Sequence, residues 1–194
     1  MAVEFAQVSG IEVSEYMDSV AELRIRVFRD FPYLYDGNRE HEKEYLARYL
    51  EAKDFLLILA LDGEQVVGAS TCLPLSQENE EMKPLTTAGY AAEEVLYLGE
   101  SVLDKAYRGQ GIGKVFFQFR EAHGQKLHKK FSSFCAVDRP ENHPLRPADY
   151  RPLHAFWKKY GYTPLPHVKA KLHWKDVDQD SETEKKLTFW IKEL

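Results

Sequence analysis

The spacing of hydrophobic positions changes several times along this chain, and each change marks an element. Residues 3–8 read as a first strand. Tyr16, Met17, Val20, Leu23 and Val27 then recur at helical spacing, which predicts an amphipathic helix ending near Phe28. Ser9 with Glu12 offers a capping box for its start, and Ser14 is a rival N-cap. A segment with proline and glycine, residues 31–37, breaks the pattern before Tyr45, Leu46, Tyr49 and Leu50 stripe a second helix. Residues 55–61 are continuously apolar, as in a strand covered on both faces. Asp62-Gly63 predicts a tight hairpin into a strand over residues 65–75. Residues 76–84 are polar, lack a period, and read as an exposed loop.

The second half follows the same logic. Residues 95–103 read as a strand, and Ile112, Val115, Phe116, Phe119, His123 and Leu127 form the inner face of a long helix. Residues 131–137 read as a strand, and residues 138–150 are too rich in proline for regular structure. Leu153, Phe156, Trp157 and Tyr160 stripe a short helix that Gly161 ends. Residues 167–174 and 186–191 read as the last strands, joined by the acidic, polar stretch 176–184. No repeat, low-complexity tract or linker interrupts this order. The expectation is one domain over residues 1–194, with elements β-α-α-β-β-β-α-β-α-β-β in an α/β architecture.

Composition narrows the class. With 44% hydrophobic and 29% charged residues in 194, the chain can bury a sizeable core. A net charge of −5 argues against nucleic acid as a partner. Cys72 and Cys135 show no metal spacing and no framework of bridges, so a reducing, cytoplasmic location is expected. Neither a signal peptide nor a run of about 18 apolar residues is present, so no membrane association is expected. The seven histidines show no paired ligand spacing, and no metal is expected; only His143, in the proline-rich loop, stands out.

The strongest chemical signal is Arg108-Gly109-Gln110-Gly111-Ile112-Gly113-Lys114, between the strand at 95–103 and the long helix. Glycines at alternate positions let the backbone approach a ligand closely. The turn opens a helix N-terminus, whose unpaired N–H groups and positive dipole end attract phosphate. A Walker A loop is excluded, because Arg108 stands at its first glycine and Val115 at its hydroxyl. A dinucleotide fingerprint is excluded as well, because Lys114 stands at its third glycine. What remains is Arg-x-x-Gly-x-Gly, a cradle for a diphosphate.

With the strand that precedes it, this segment resembles the acyl-CoA-binding motif of the GNAT superfamily of N-acetyltransferases. The element order resembles that fold over nearly the whole chain. Residues 155–162 are similar to the family's helix before its sixth strand, which commonly reads Phe-Tyr, three residues, Gly-Phe. Among members the chain looks most like bacterial ones with a His-Pro-Leu-Arg-Pro loop, here residues 143–147, a likeness that names no substrate. The resemblance implies a mixed, mostly antiparallel sheet of about seven strands flanked by about four helices. It places acetyl-CoA, the cosubstrate, in a split between the fourth strand (95–103) and the fifth (131–137).

It also implies roles. Backbone N–H groups of Gly109, Gln110, Gly111, Ile112 and Gly113 would hold the diphosphate, with Arg108 and Lys114 beside it; Lys114 reads equally well as a solvated helix residue. Backbone groups of Val102 and Leu103 would pair with the pantetheine arm, and a strand N–H there would polarise the thioester carbonyl. The expected activity is acetyl transfer to a primary amine by direct attack in a ternary complex, and the acceptor is a small metabolite or a peptide or protein amine.

An alkyl ammonium has a pKa of about 10.4 and must lose a proton before it attacks. Glu100, two residues before Val102 and on the same face, is the candidate base; partial burial would raise its pKa. The plainer reading is a carboxylate satisfied by an arginine or a backbone group. Where the family often places a tyrosine acid, this chain has Trp157, whose indole donates a hydrogen bond but is no proton acid. Tyr150 or Tyr160 would then substitute, or the thiolate leaves unassisted, or the chain binds CoA without efficient turnover. Trp157 itself reads as packing along the cofactor arm. Tyr33, Tyr35 and Asp36 on one side and Arg139, Arg146, Asp149 and Tyr150 on the other are the candidate acceptor contacts; their mixed charges would meet an acceptor carrying both an amine and a carboxylate, or simply pair with one another. Transfer of a longer acyl group and a role as a CoA-binding sensor remain alternatives, and a homodimer is left open.

Overall fold

Side chains alternate across a strand, so a continuous apolar run needs a cover on each face. The computed structural model describes residues 3–194. Its elements are β1 (Glu4–Val8), α1 (Met17–Phe28), α2 (Arg39–Glu51), β2 (Leu56–Asp62), β3 (Gln65–Pro74), α3 (Lys83–Thr87), β4 (Val95–Tyr97) and β5 (Ser101–Leu103). They continue with α4 (Ile112–Lys126), β6 (Phe131–Val137), α5 (His154–Lys159), β7 (Thr163–Trp174) and β8 (Thr183–Glu193). In β2, Leu57 and Leu59 enter one core with Val20 and Leu23 of α1 and Leu46 of α2. Ile58 and Ala60 enter a second core with Ile112 and Phe116 of α4. The sheet therefore carries α1 to α3 on one face and α4 and α5 on the other.

The strand order is β1-β2-β3-β4-β6-β8-β7, with β5 paired to β3, in one eight-stranded sheet. Only the β4–β6 pair is parallel. This is the expected mixed, mostly antiparallel α/β fold. The extra strand arises because residues 95–103 do not form one strand. Val95 to Tyr97 pair with Phe131 to Ser133 of β6, and Leu98 N–H reaches Ser133 O at 2.8 Å. The chain then swings away. Gly99 N–H bonds Thr71 O (3.2 Å), Thr71 N–H bonds Glu100 O (3.0 Å), and Glu100 N–H bonds Thr71 Oγ1 (3.1 Å). A Cβ at Gly99 would stand 2.6 Å from Thr71 Oγ1, so only glycine fits this close approach. Past this kink β5 pairs with β3 alone, and the sheet opens between β5 and β6.

Three further expectations are corrected. Ser9 makes no side-chain cap; Gly10, at φ +61°, turns the chain into a 3-10 helix over Gly10–Tyr16 instead. Residues 76–84 are not simply an exposed loop, because Met82, with Leu85 just beyond, is buried in the first core. The last two strands are longer than their apolar parts suggest, and a bulge between Leu165 and Lys169 breaks the period of β7.

Candidate active site

The glycine turn forms as its sequence requires. Gly109 and Gly111 adopt φ of +82° and +85°, and nothing lies within 4 Å of a Cβ built at either. Gly111 caps α4, so the first N–H groups of the helix, at Ile112 and Gly113, have no acceptor in a preceding turn. Gly109, Gln110, Gly111 and Lys114 are exposed around this mouth, and Ile112 anchors it in the core. Arg108 is held beside the turn by Leu103 O (3.3 Å) and, loosely, by Asp30 (3.8 Å). Open space, exposed N–H groups and an adjacent guanidinium fit a diphosphate. Gly113 differs from its neighbours: a Cβ there would stand 3.2 Å from Phe156 of α5, so it serves helix packing.

The turn leads back to the open edge of β5. Glu100 O and Asp104 N–H bond β3, at Thr71 (3.0 Å) and Val67 (2.9 Å), on either side of the Ala69–Val102 pair. Backbone bonds alternate in direction along an antiparallel strand. Val102 therefore turns its backbone groups to β3, and its side chain is fully buried. Ser101 and Leu103 turn theirs to the gap. The backbone positions facing the split are thus Ser101 and Leu103, a correction of the expectation for Val102.

Beside the kink lies a cavity of about 330 Å³ between α1, α2 and the segment that follows β3. Tyr33, Tyr35, Tyr45, Glu78 and Glu100 are among the residues lining it. Glu100 has a side chain only 3% exposed, with Arg24 Nη1 2.7 Å from Oε2. Arg24 Nε also donates to Glu42 (2.5 Å), and its guanidinium lies over the rings of Tyr45 (4.4 Å) and Phe28 (5.1 Å). Burial opposes the Arg24 charge, but the adjacent Glu100, Tyr45 and Glu42 raise its pKa, so it stays a cation. The hydroxyls of Tyr45 and Tyr49 each donate to Glu100 Oε2 at 3.4 Å. Oε2 is therefore fully engaged, whereas Oε1 is buried with no partner.

A second carboxylate lines the same cavity. Glu78 has a side chain 2% exposed and stands 3.5 Å from Arg48, and its Oε1 is likewise buried and unpartnered. Burial pushes its carboxyl above the usual range, and Arg48 offsets this only in part.

The structure joins some of the expected residues and separates others. Glu100, Tyr33 and Tyr35 share the cavity. Burial pushes both tyrosine hydroxyls well above their usual pKa, so they stay protonated. Tyr150 packs edge-on against Phe31 (4.6 Å) beneath the Arg146 guanidinium (5.3 Å), and neither lines the cavity. Of the loop residues, Arg139 reaches the backbone beside the cavity. Arg139 pairs with Asp176 (2.7 and 2.9 Å) and donates to Pro32 O (2.7 Å) and Tyr33 O (2.6 Å). Trp157 is half-buried against Phe134 (5.1 Å) and Trp190 (5.0 Å), while Leu153, expected on the same stripe, is exposed. Cys135 lines the cavity against Tyr97 OH, and burial pushes its thiol up to about 12, so it is no nucleophile.

Sequence reading missed Arg24, Glu42, Arg48 and Glu78. Arg24 and Glu42 carried a signal, since each is a charged residue on the apolar stripe of its helix. Glu78, in a segment without periodicity, carried none.

A family model described as the Acetyltransferase (GNAT) family matches residues 18–162, and the chain belongs to that family. Among curated proteins, none matches it. Solved structures share the fold at low identity. A GNAT-family acetyltransferase from Staphylococcus aureus Mu50 is 13% identical with a TM-score of 0.61, covering 100% of this chain and 99% of that one. YncA from Salmonella typhimurium, solved with its cofactor acetyl-CoA, is 11% identical with a TM-score of 0.61, covering 100% and 95%. The PaiA N-acetyltransferase of Thermoplasma acidophilum, in complex with coenzyme A, is 14% identical with a TM-score of 0.59, covering 100% of both. No described helix is long and apolar enough to cross a membrane, and the described residues hold no cluster of metal ligands.

Proposed function

We propose that residues 1–194 form one acetyltransferase domain that moves acetyl from acetyl-CoA to the primary amine of a small acceptor held in the cavity. The observation that carries this reading is the unpaired edge of β5. It runs from the glycine turn to the kink that carries Glu100, so a diphosphate site and a buried carboxylate lie at two ends of one open strand. Solved relatives that hold acetyl-CoA or CoA support the choice of cosubstrate. The cavity volume, about 330 Å³, suits a small molecule.

Acetyl-CoA supplies a thioester carbonyl open to attack by a neutral amine, with the CoA thiol as leaving group. The N–H groups from Gly109 to Gly113 hold the diphosphate, and Arg108 adds charge beside it. The free edge groups of Ser101 and Leu103 bind the pantetheine arm as an added strand, and one N–H of that edge polarises the carbonyl. Glu100 receives the acceptor ammonium through Oε1, the oxygen that Arg24 leaves free, and takes its proton directly or through water. Trp157 packs in the second core near the arm. Release of thiol from acetyl-CoA, measured across a panel of small amines, tests the reading. A second reading, a CoA-binding module with little turnover, is favoured by one observation: α5 offers an indole and no hydroxyl at Trp157. CoA binding without thiol release for any amine would decide for that module.

A further inference from the structure

The cavity holds more carboxyl groups than arginines to engage them. Arg24 and Arg48 face three buried carboxylates, Glu42, Glu78 and Glu100. Glu42 is satisfied by Arg24 Nε at 2.5 Å. Glu78 and Glu100 each keep one buried oxygen with no partner, and both line the cavity. A buried carboxylate oxygen without a donor is costly, so such a site is built to be completed by a ligand that brings donors. The walls between them are aromatic: Tyr33, Tyr35, Tyr45 and Trp174 line the same space. Electron-rich ring faces favour a cation over an anion.

We propose that the acceptor is a small diamine: Glu100 holds the amine that reacts, and Glu78 binds a second, protonated amine at the far end. The inference rests on the acetyltransferase reading and deepens it. The orphan oxygens separate this class from its competitors. Two ammonium groups bring N–H donors to both Glu100 Oε1 and Glu78 Oε1. An amino acid would set its own carboxylate against Glu78, oxygen to oxygen, and a monoamine leaves Glu78 Oε1 without a donor. One orphan donor, Arg48 Nε, would instead take an acceptor oxygen. Its guanidinium is already engaged by Tyr49 OH (3.0 Å), Glu78 and the ring of Tyr45 (4.1 Å).

Putrescine, n-butylamine and γ-aminobutyrate share a carbon chain and differ only at the distal group. Calorimetric titration of each into the CoA-saturated protein reads the site without requiring turnover. The expected order is putrescine over n-butylamine by about tenfold or more, the worth of one charge-assisted hydrogen bond, with γ-aminobutyrate weakest. In the isosteric variant Glu78→Gln, shown to be folded by an unchanged melting profile, the putrescine preference should collapse toward one. Equal binding of putrescine and n-butylamine, preference for γ-aminobutyrate, or a preference that survives in Glu78→Gln overturns the proposal. Thiol release with the same compounds reads the enzymatic assignment separately. Selective putrescine binding without release would uphold the diamine site and defeat the acetyltransferase reading.

Discussion

Placing a carboxylate in the glycine turn gives the sharpest test of the cofactor site. Gly111 has φ +85°, and a Cβ there meets nothing within 4 Å. Gly111→Ala therefore pays only the left-handed backbone penalty, roughly 1–2 kcal/mol. Gly111→Asp pays no more than that, since aspartate tolerates this region better than most residues. The difference between the two variants isolates charge. A carboxylate about 4 Å from a phosphate charge is repelled by about 1 kcal/mol in water and about 4 kcal/mol at an effective dielectric of 20. The turn is exposed, so the value belongs toward the lower end, about 1–3 kcal/mol, or a tenfold to hundredfold loss. Calorimetric titration with CoA should thus show Gly111→Asp binding ten to a hundred times more weakly than Gly111→Ala, roughly. Raising the salt toward about 1 M, where the screening length falls to about 3 Å, should shrink that gap. Equal affinity in the two variants at low salt would refute the assignment of the diphosphate to this turn. Gly113→Asp is a poorer probe, because its side chain would first have to displace Phe156.

Glu100→Gln should lower the rate of thiol release by about two to four orders of magnitude and alter its pH profile, with CoA affinity little changed; a near-normal rate and profile would reduce Glu100 to a partner of Arg24. Trp157→Ala should destabilise by roughly 2 kcal/mol in urea unfolding, below the ~3–5 of a fully buried tryptophan, because Trp157 is half-buried. Trp157→Tyr should raise the rate by less than about tenfold, and a larger gain would show that a missing acid limits turnover. Arg139→Met breaks a buried pair and frees two carbonyls, so it should cost about 3 kcal/mol. Burial alone would raise the Asp176 carboxyl, but the hydrogen bond and charge of Arg139, with Lys185 behind, bring it below its usual value. A carboxyl lowered on folding contributes stability above its unfolded pKa, about 4, and loses it as pH falls through the lower folded value. The gap between wild type and Arg139→Met should therefore narrow below about pH 4; a gap that does not change with pH would contradict the role given to Asp176.

Elements with a clear period were legible from sequence, and so was the glycine turn. Helix α4 follows its stripe, and the twofold alternation in β2 fills two cores as an apolar run requires. What sequence did not reveal was set by tertiary contacts. Residues 95–103 look like one strand because every hydrophobic position supports one; the break comes from Thr71, on a neighbouring strand, bonding Gly99 and Glu100. The same distance from local pattern hid the direction of the Val102 backbone groups, which depends on register with β3. Of the loop residues read as acceptor contacts, Arg146 and Tyr150 do not line the cavity, whereas Arg139 reaches the backbone of Tyr33, anchored by Asp176 from the acidic, polar stretch. Glu78 was hidden for a simpler reason, since an aperiodic polar segment gives no face to read.

One local irregularity organises much of this site. By leaving β6 at Gly99 and Glu100 while staying on β3, the chain frees the edge of β5 and carries Glu100 to the cavity wall in the same step. Arg120 of α4, fully buried and without a carboxylate within contact distance among the described residues, donates to Phe116 O (3.3 Å) and Glu100 O (3.4 Å). It thus ties the kink to the helix whose N-terminus carries the glycine turn. Arg24 fixes the other end of the same residue by occupying Oε2. Glu100 is held at its carbonyl by one arginine and at its carboxylate by another, and its free oxygen is the only part left to act. Such a residue is positioned before any ligand arrives. That is the condition under which a buried carboxylate can accept a proton without first reorganising its surroundings.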